Sequence, residues 1–195
     1  MTIGKEALNQ ANKDRGILER LHMLIPGYRG YKQRNQRRDV DEQVRAEVCR
    51  SLEQTKTVLS EIQRAVIPID VKVAKDVERL RTKTDTYIQS IRSMESGYSA
   101  FWDTMKTEKE DLEEVMVWDE KLLSSAAELK RLAENFLDKA DTEDLTGSKD
   151  FVRSIERYLD QITDGLAERA KVLIGLSANG DAGDENIRKL KNKLR

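Results

Sequence analysis

Cysteine, histidine, proline and aromatic side chains are all scarce in this chain. Its 195 residues include one cysteine, one histidine and two prolines, and aromatics make up 5%. A lone cysteine, Cys49, cannot close an intrachain disulfide, so a secreted scaffold stapled by bridges is excluded and a reducing, cytoplasmic setting is expected. With prolines only at positions 26 and 68, little in the chain interrupts long helices. No stretch approaches the roughly 18 apolar residues of a membrane span, and Met1–Glu6 shows no basic segment leading into an apolar run. A surplus of one charge sign is missing too. Lys+Arg number 35 against 36 Asp+Glu, a net charge of -1 that excludes a globally basic nucleic-acid coat or an acidic solvating tail. Any electrostatic function has to be local.

What the chain does have is charge in quantity, 36% of residues, against roughly 25% in average domains. Its apolar residues recur at helical intervals almost throughout, with no sustained alternating segment that would make a strand. A first helix is expected from about Ile3 to Leu24, stopped by Pro26-Gly27. A second carries Val44, Val48, Leu52, Leu59, Ile62 and Val66 and ends before Pro68, with Thr55 filling a stripe position. In the third, Val73, Val77, Leu80, Thr84, Tyr87, Ile91, Met94, Tyr98, Phe101 and Met105 alternate steps of four and three, the pattern of a coiled-coil seam. The phase runs on through Leu112, Val115, Leu122, Ala126, Leu129, Ala133, Phe136 and Ala140, with Glu108 and Asp119 at the two positions that are not apolar. A break near Thr107 is expected, because Thr107 and Glu110 have capping-box spacing and an acidic run follows. A fifth helix, capped by Ser148, carries Val152, Ile155, Leu159, Ile162, Leu166, Ala170 and Leu173 and stops at Gly175.

The fold class that follows is all-α, an elongated bundle of about five helices with coiled-coil character. Residues 1–25 form an N-terminal amphipathic helix, 26–38 a basic Tyr/Arg-rich link, 39–175 the long-helix bundle and 176–195 a flexible basic tail. A seam from Val73 to Met105 exceeds what one chain readily covers, which points to self-association.

The main local charge anomaly is the link. Between residues 26 and 38, Arg29, Lys32, Arg34, Arg37 and Arg38 give +5 with no acid, and Tyr28 and Tyr31 lie among them. Just upstream, Ile17, Leu18, Leu21, Leu24 and Ile25 make an apolar face, the make-up of an amphipathic anchor with a cationic, aromatic flank. These seven residues, Tyr28, Arg29, Tyr31, Lys32, Arg34, Arg37 and Arg38, are the candidate partner-binding or anion-binding set. A structural use competes with that reading: the tyrosines pack on the bundle and the arginines bridge its acidic helices. The stretch from Asp103 to Asp144, with fourteen acids and six bases, offers such a partner within one molecule or between two, a polarity that suits head-to-tail assembly. The order of partners is a protein or a second copy of this chain, then an anionic membrane surface, then nucleic acid.

The run Pro26-Gly27-Tyr28-x-Gly30-Tyr31-Lys32, followed by Arg37-Arg38-Asp39 and Val44-Arg45, resembles a group of prokaryotic all-helical proteins that open with a PGYxGY…RR motif. The likeness covers about twenty residues and implies helices, with no assigned activity.

Catalytic and cofactor signatures are weak. Glu19-x-x-His22 has the spacing of one di-iron ligand pair, but the usual site needs two such pairs and His22 is the only histidine. Cys49 has no histidine near it in sequence to serve as a base. Gly27-x-x-Gly30 lacks the lysine and hydroxyl of a phosphate loop, and the stretch from Asn179 to Leu190 lacks the sixth-position glycine and twelfth-position glutamate of a calcium loop. The expectation is a non-enzymatic chain with no metal and no cofactor, working as an interaction or assembly module.

Overall fold

The computed structural model describes residues 16–30, 37–93 and 109–177. Among them the chain is entirely helical apart from turns. Residues 16–24 belong to a first helix, α1; α2 is Arg37–Val66, α3 Val71–Ser93, α4 Lys109–Asp141 and α5 Ser148–Ser177. The all-α bundle expected from periodicity is what forms.

α2 packs along both α3 and α4, α5 packs along α4, and α3 meets α5 less extensively. Cross-contacts fix the directions. Ser51 donates from α2 to the Ala126 carbonyl of α4 at 2.9 Å, and Arg169 of α5 reaches both Asp41 and Asp119, so α2 and α4 run parallel. Arg79 pairs with Glu156 and Lys83 with Asp160, so α3 and α5 run parallel to each other and antiparallel to the first two. One pole of the bundle therefore holds the α2–α3 turn beside the α4–α5 loop. The start of α2 and the end of α5 lie at the other, about 45 Å away along a 30-residue helix at 1.5 Å per residue.

The stripes read from the sequence are the core. Val44, Val48, Leu52, Leu59, Ile62 and Val66 of α2 are buried against Val77, Leu80, Ile88 and Ile91 of α3, and against Val115, Leu122, Leu129 and Phe136 of α4 and Ile155, Leu159 and Ile162 of α5. Phe136 stacks on Phe151 with ring centroids 4.1 Å apart. Thr55 and Thr84 occupy stripe positions without cost because each hydroxyl donates to a carbonyl one turn back, that of Ser51 at 2.9 Å and of Leu80 at 2.8 Å.

Chain breaks are set by local chemistry. Asp70 caps α3, its carboxylate accepting from the amides of Lys72 at 2.7 Å and Val73 at 3.2 Å. α4 closes with Glu143 in the left-handed region and the Asp144 amide on the Lys139 carbonyl at 3.0 Å, a Schellman-type ending.

Several boundaries differ from the sequence reading. Arg37 and Arg38 are not link residues: they open α2, whose first turn also contains Asp39. Ser148 is already helical, and the carbonyl of Gly147, at φ +82°, takes the first helical bond from Phe151, so the cap falls one residue earlier than expected. Gly175 does not stop α5, which continues to Ser177, since glycine inside a helix costs only about 1 kcal/mol and no proline follows. The amphipathic face of α1 is not exposed: Ile17, Leu21 and Ile25 are buried in the shared core and Leu18 and Leu24 pack against it.

α4 and α5 approach closely at Gly165, where an added Cβ would sit 2.9 Å from a Leu122 methyl and 4.0 Å from the Trp118 ring. Leu122 is itself fully enclosed, so it has little room to yield. Gly165→Val is expected to lower stability by about 1 to 3 kcal/mol through overpacking, read as an earlier urea midpoint at unchanged slope. A wild-type midpoint would show that the close approach is not required.

Candidate functional site

Polar groups inside a bundle are costly unless paired, so the buried ones mark where the sequence departs from simple core filling. Asp41, Arg45, Asp119 and Arg169 are all buried, and Asp119 has no exposed surface at all. They lie on three helices and meet at one place. Arg169 of α5 donates through Nε to Asp119 Oδ1 of α4 at 2.5 Å and through Nη1 to Asp41 Oδ1 of α2 at 2.6 Å. Arg45, one turn along α2, donates from Nη2 to Asp41 Oδ2 at 2.7 Å. The remaining oxygen of Asp119 accepts from the Tyr28 hydroxyl at 3.0 Å.

Two carboxylates and two guanidiniums sum to zero, and every carboxylate oxygen holds a donor. Each carboxylate is thus held on both of its oxygens inside the core. Its physical effect is on register. Sliding α2, α4 or α5 by one turn would strand a charge in the core, an error far costlier than a slipped leucine.

Tyr28 comes from the motif the sequence singled out. The helix ends at Leu24, the Tyr28 amide bonds back to the Ile25 carbonyl at 3.1 Å, and Gly27 at φ +84° turns the chain so that the ring enters the core, fully buried. It cannot stack on a base or lie at a lipid interface. Arg29 and Arg38 are exposed; Arg37 begins α2; Tyr31, Lys32 and Arg34 lie outside the described residues. The link is also braced from above, as Arg20 of α1 forms a two-pronged pair with Glu120 of α4 and Gln43 reaches the Pro26 carbonyl at 3.5 Å.

The expected seam is covered within the chain as far as it is described. Val73, Val77, Leu80 and Ile91 are buried, and Thr84 and Ile88 with them. Tyr87 is half-buried, and its hydroxyl donates to Asp160 of α5 at 2.9 Å; burial, then that bond, pushes its pKa above the ordinary value. Met94, Tyr98, Phe101 and Met105 lie outside the described residues.

A cleft of about 180 Å³ opens between α2 and α3 beside Arg45, Cys49, Arg50, Ile91 and Arg92. Its arginines already have acidic partners, Asp41, Glu47 and Glu53 respectively, so it offers no net charge to an anion. Cys49 lies at its edge, buried. His22 is exposed on α1, and among the described residues no three His, Cys, Asp or Glu side chains are grouped as metal ligands.

The surface feature that sequence reading passed over lies at the α2–α3 pole. Ile67, Ile69 and Val71 are 51%, 41% and 61% exposed on one turn, around Pro68. The neighbouring α4–α5 loop is acidic: residues 138–150 carry Asp138, Asp141, Glu143, Asp144 and Asp150 against Lys139 and Lys149. The Thr146 side chain and amide hold the Asp144 carboxyl below its usual range, so it is ionised at neutral pH. The signal was present in Val66-Ile67-Pro68-Ile69-Asp70-Val71, but apolar residues flanking a proline do not by themselves say whether they are covered.

No family model, no curated protein and no solved structure matches this chain. No described helix is long and apolar enough to cross a membrane.

Arg169→Met is expected to cost about 3 to 5 kcal/mol in denaturant unfolding, because it leaves Asp41 and Asp119 sharing the interior without that counter-charge. Tyr28→Phe removes one bond to a charged acceptor and is expected to cost about 1.5 to 3 kcal/mol. The exposed pair Arg131–Glu128 serves as the scale, since Arg131→Met should change stability by under about 1 kcal/mol. Equal effects at Arg169 and Arg131 would refute the central role of the cluster.

Proposed function

We propose that this chain is a non-enzymatic helical interaction module that self-associates. The observation that carries the reading is the exposed apolar turn of Ile67, Ile69 and Val71. Isolated exposed apolar residues are ordinary, but three on one turn of a chain that buries its helical stripes make a patch suited to a protein contact. The coiled-coil argument for self-association is weaker than the periodicity implied, since Val73 to Ile91 is covered by α2 and α5 of the same molecule.

An anionic membrane surface is the alternative reading, supported by Arg29 and Arg38, both exposed, within the +5 of residues 26–38. Its apolar half is missing, because the α1 face that would enter the lipid is spent on the core. Nucleic acid ranks below it: the basic residues remain, but Tyr28 is enclosed. A cytoplasmic location is part of the proposal and rests on the single buried cysteine, which calls for no oxidising compartment.

Light scattering after size exclusion, over a hundredfold range of concentration, is expected to show a mass rising above that of the monomer. A constant monomer mass at the highest concentration would end the self-association reading.

A further inference from the structure

We propose that the α2–α3 pole is the docking site for residues 187–195 of a second copy of this chain, so that molecules associate head to tail. The inference rests on the self-association reading and names its two surfaces.

The occupant is argued from chemistry first. Ile67, Ile69 and Val71 are apolar and exposed, and Asp141, Glu143 and Asp144 beside them are exposed acids. A matching partner is therefore a short segment with an apolar stripe flanked by bases. Residues 187–195 read Ile-Arg-Lys-Leu-Lys-Asn-Lys-Leu-Arg: five bases, no acid, and Ile187, Leu190 and Leu194 at spacings that share one face of a helix. Arg64, Lys72 and Lys75 on the α2–α3 side reduce the acidity of the pole but leave it at -2, since residues 138–150 net -3 and residues 64–76, with Asp70 and Asp76, net +1. An anionic lipid surface suits this pole poorly for the same reason, as the carboxylates would be repelled.

Length then keeps the whole segment from seating on its own molecule. α5 starts at this pole and ends at Ser177, about 45 Å away at 1.5 Å per residue. Ten residue steps separate Ser177 from Ile187, and even fully extended they reach only about 35 Å. Ile187 cannot arrive at the pole of its own molecule, so the face of Ile187, Leu190 and Leu194 cannot seat there as a unit, whereas a copy stacked end to end can present all three. Each copy then carries one site and one segment at opposite poles, a heterologous contact that extends as an open chain unless its rotation closes a ring.

Three proteins test the inference by sedimentation velocity: wild type, the pole variant Ile67→Glu with Ile69→Glu, and the segment variant Leu190→Glu with Leu194→Glu. Wild type should associate with concentration, and each variant alone should bind itself at least tenfold more weakly. Mixed, the two variants should form a one-to-one dimer and nothing larger, because one keeps the segment and the other keeps the pole. The charge reversal Glu143→Lys with Asp144→Lys attacks the same pole without touching its apolar residues, and unchanged melting temperatures separate lost association from lost fold. Variants that still associate like wild type would overturn the assignment of the two surfaces while leaving self-association standing. A mixture that stays monomeric would overturn the head-to-tail polarity, and a monomeric wild type would remove both proposals together.

Discussion

One guanidinium holds this bundle in register. Arg169 is buried between α2 and α4 and satisfies a carboxylate on each, while Tyr28 and Arg45 occupy the oxygens it leaves. Removing charges from water is expensive, so the cluster is not simply a source of stability; a well-packed apolar replacement of the same shape could serve as well or better. What an apolar core does not supply is discrimination. Leucines tolerate a slipped turn, but an aspartate facing a leucine does not, and this set of charges has one arrangement in which every carboxylate oxygen holds a donor. The link after α1 is drawn into the same arrangement through Tyr28, which ties the position of the first helix to those of α2, α4 and α5.

Away from the cluster, attachment is uneven. α2 and α4 share an apolar interface with a hydroxyl bond at Ser51, and α4 meets α5 closely enough that Gly165 leaves no room for a Cβ. α3 shares its apolar stripe with α2, but its rim toward α5 is ionic, built from Arg79–Glu156, Lys83–Asp160 and Tyr87–Asp160. Exposed pairs of this kind contribute little each. The molecule is therefore best secured around Arg169 and along α2, α4 and α5, with α3 held chiefly through one neighbour.

This division separates the two poles by role. One contains the charge cluster and the braced link, in which the aromatic and much of the apolar material is used internally. The other ends in two short turns closed by Asp70, Glu143 and Asp144, and its apolar side chains at 67, 69 and 71 are left exposed among the described residues. The buried charge cluster and the exposed apolar turn thus involve different residues at opposite poles, and substitutions at one need not disturb the other.

The sequence by itself determined the helices and their apolar stripes, because periodicity is local and each stripe needs only some apolar surface to face, while several helix ends fell elsewhere than the local signals placed them. Even Asp119 was visible as an exception in its stripe, and Tyr28 as part of an unusual motif. Nothing local could pair them, since the residues that complete the cluster are separated by 91, 50 and 128 positions and their meeting depends on which helices neighbour one another. The same limit explains the link and the seam. Composition cannot say whether an apolar face meets lipid, another molecule or the same chain, and here the face of α1 and the seam through Ile91 turn inward. Only the tertiary structure decided which apolar residues remained outside, because exposure is a property of the packing around a residue and not of the residue.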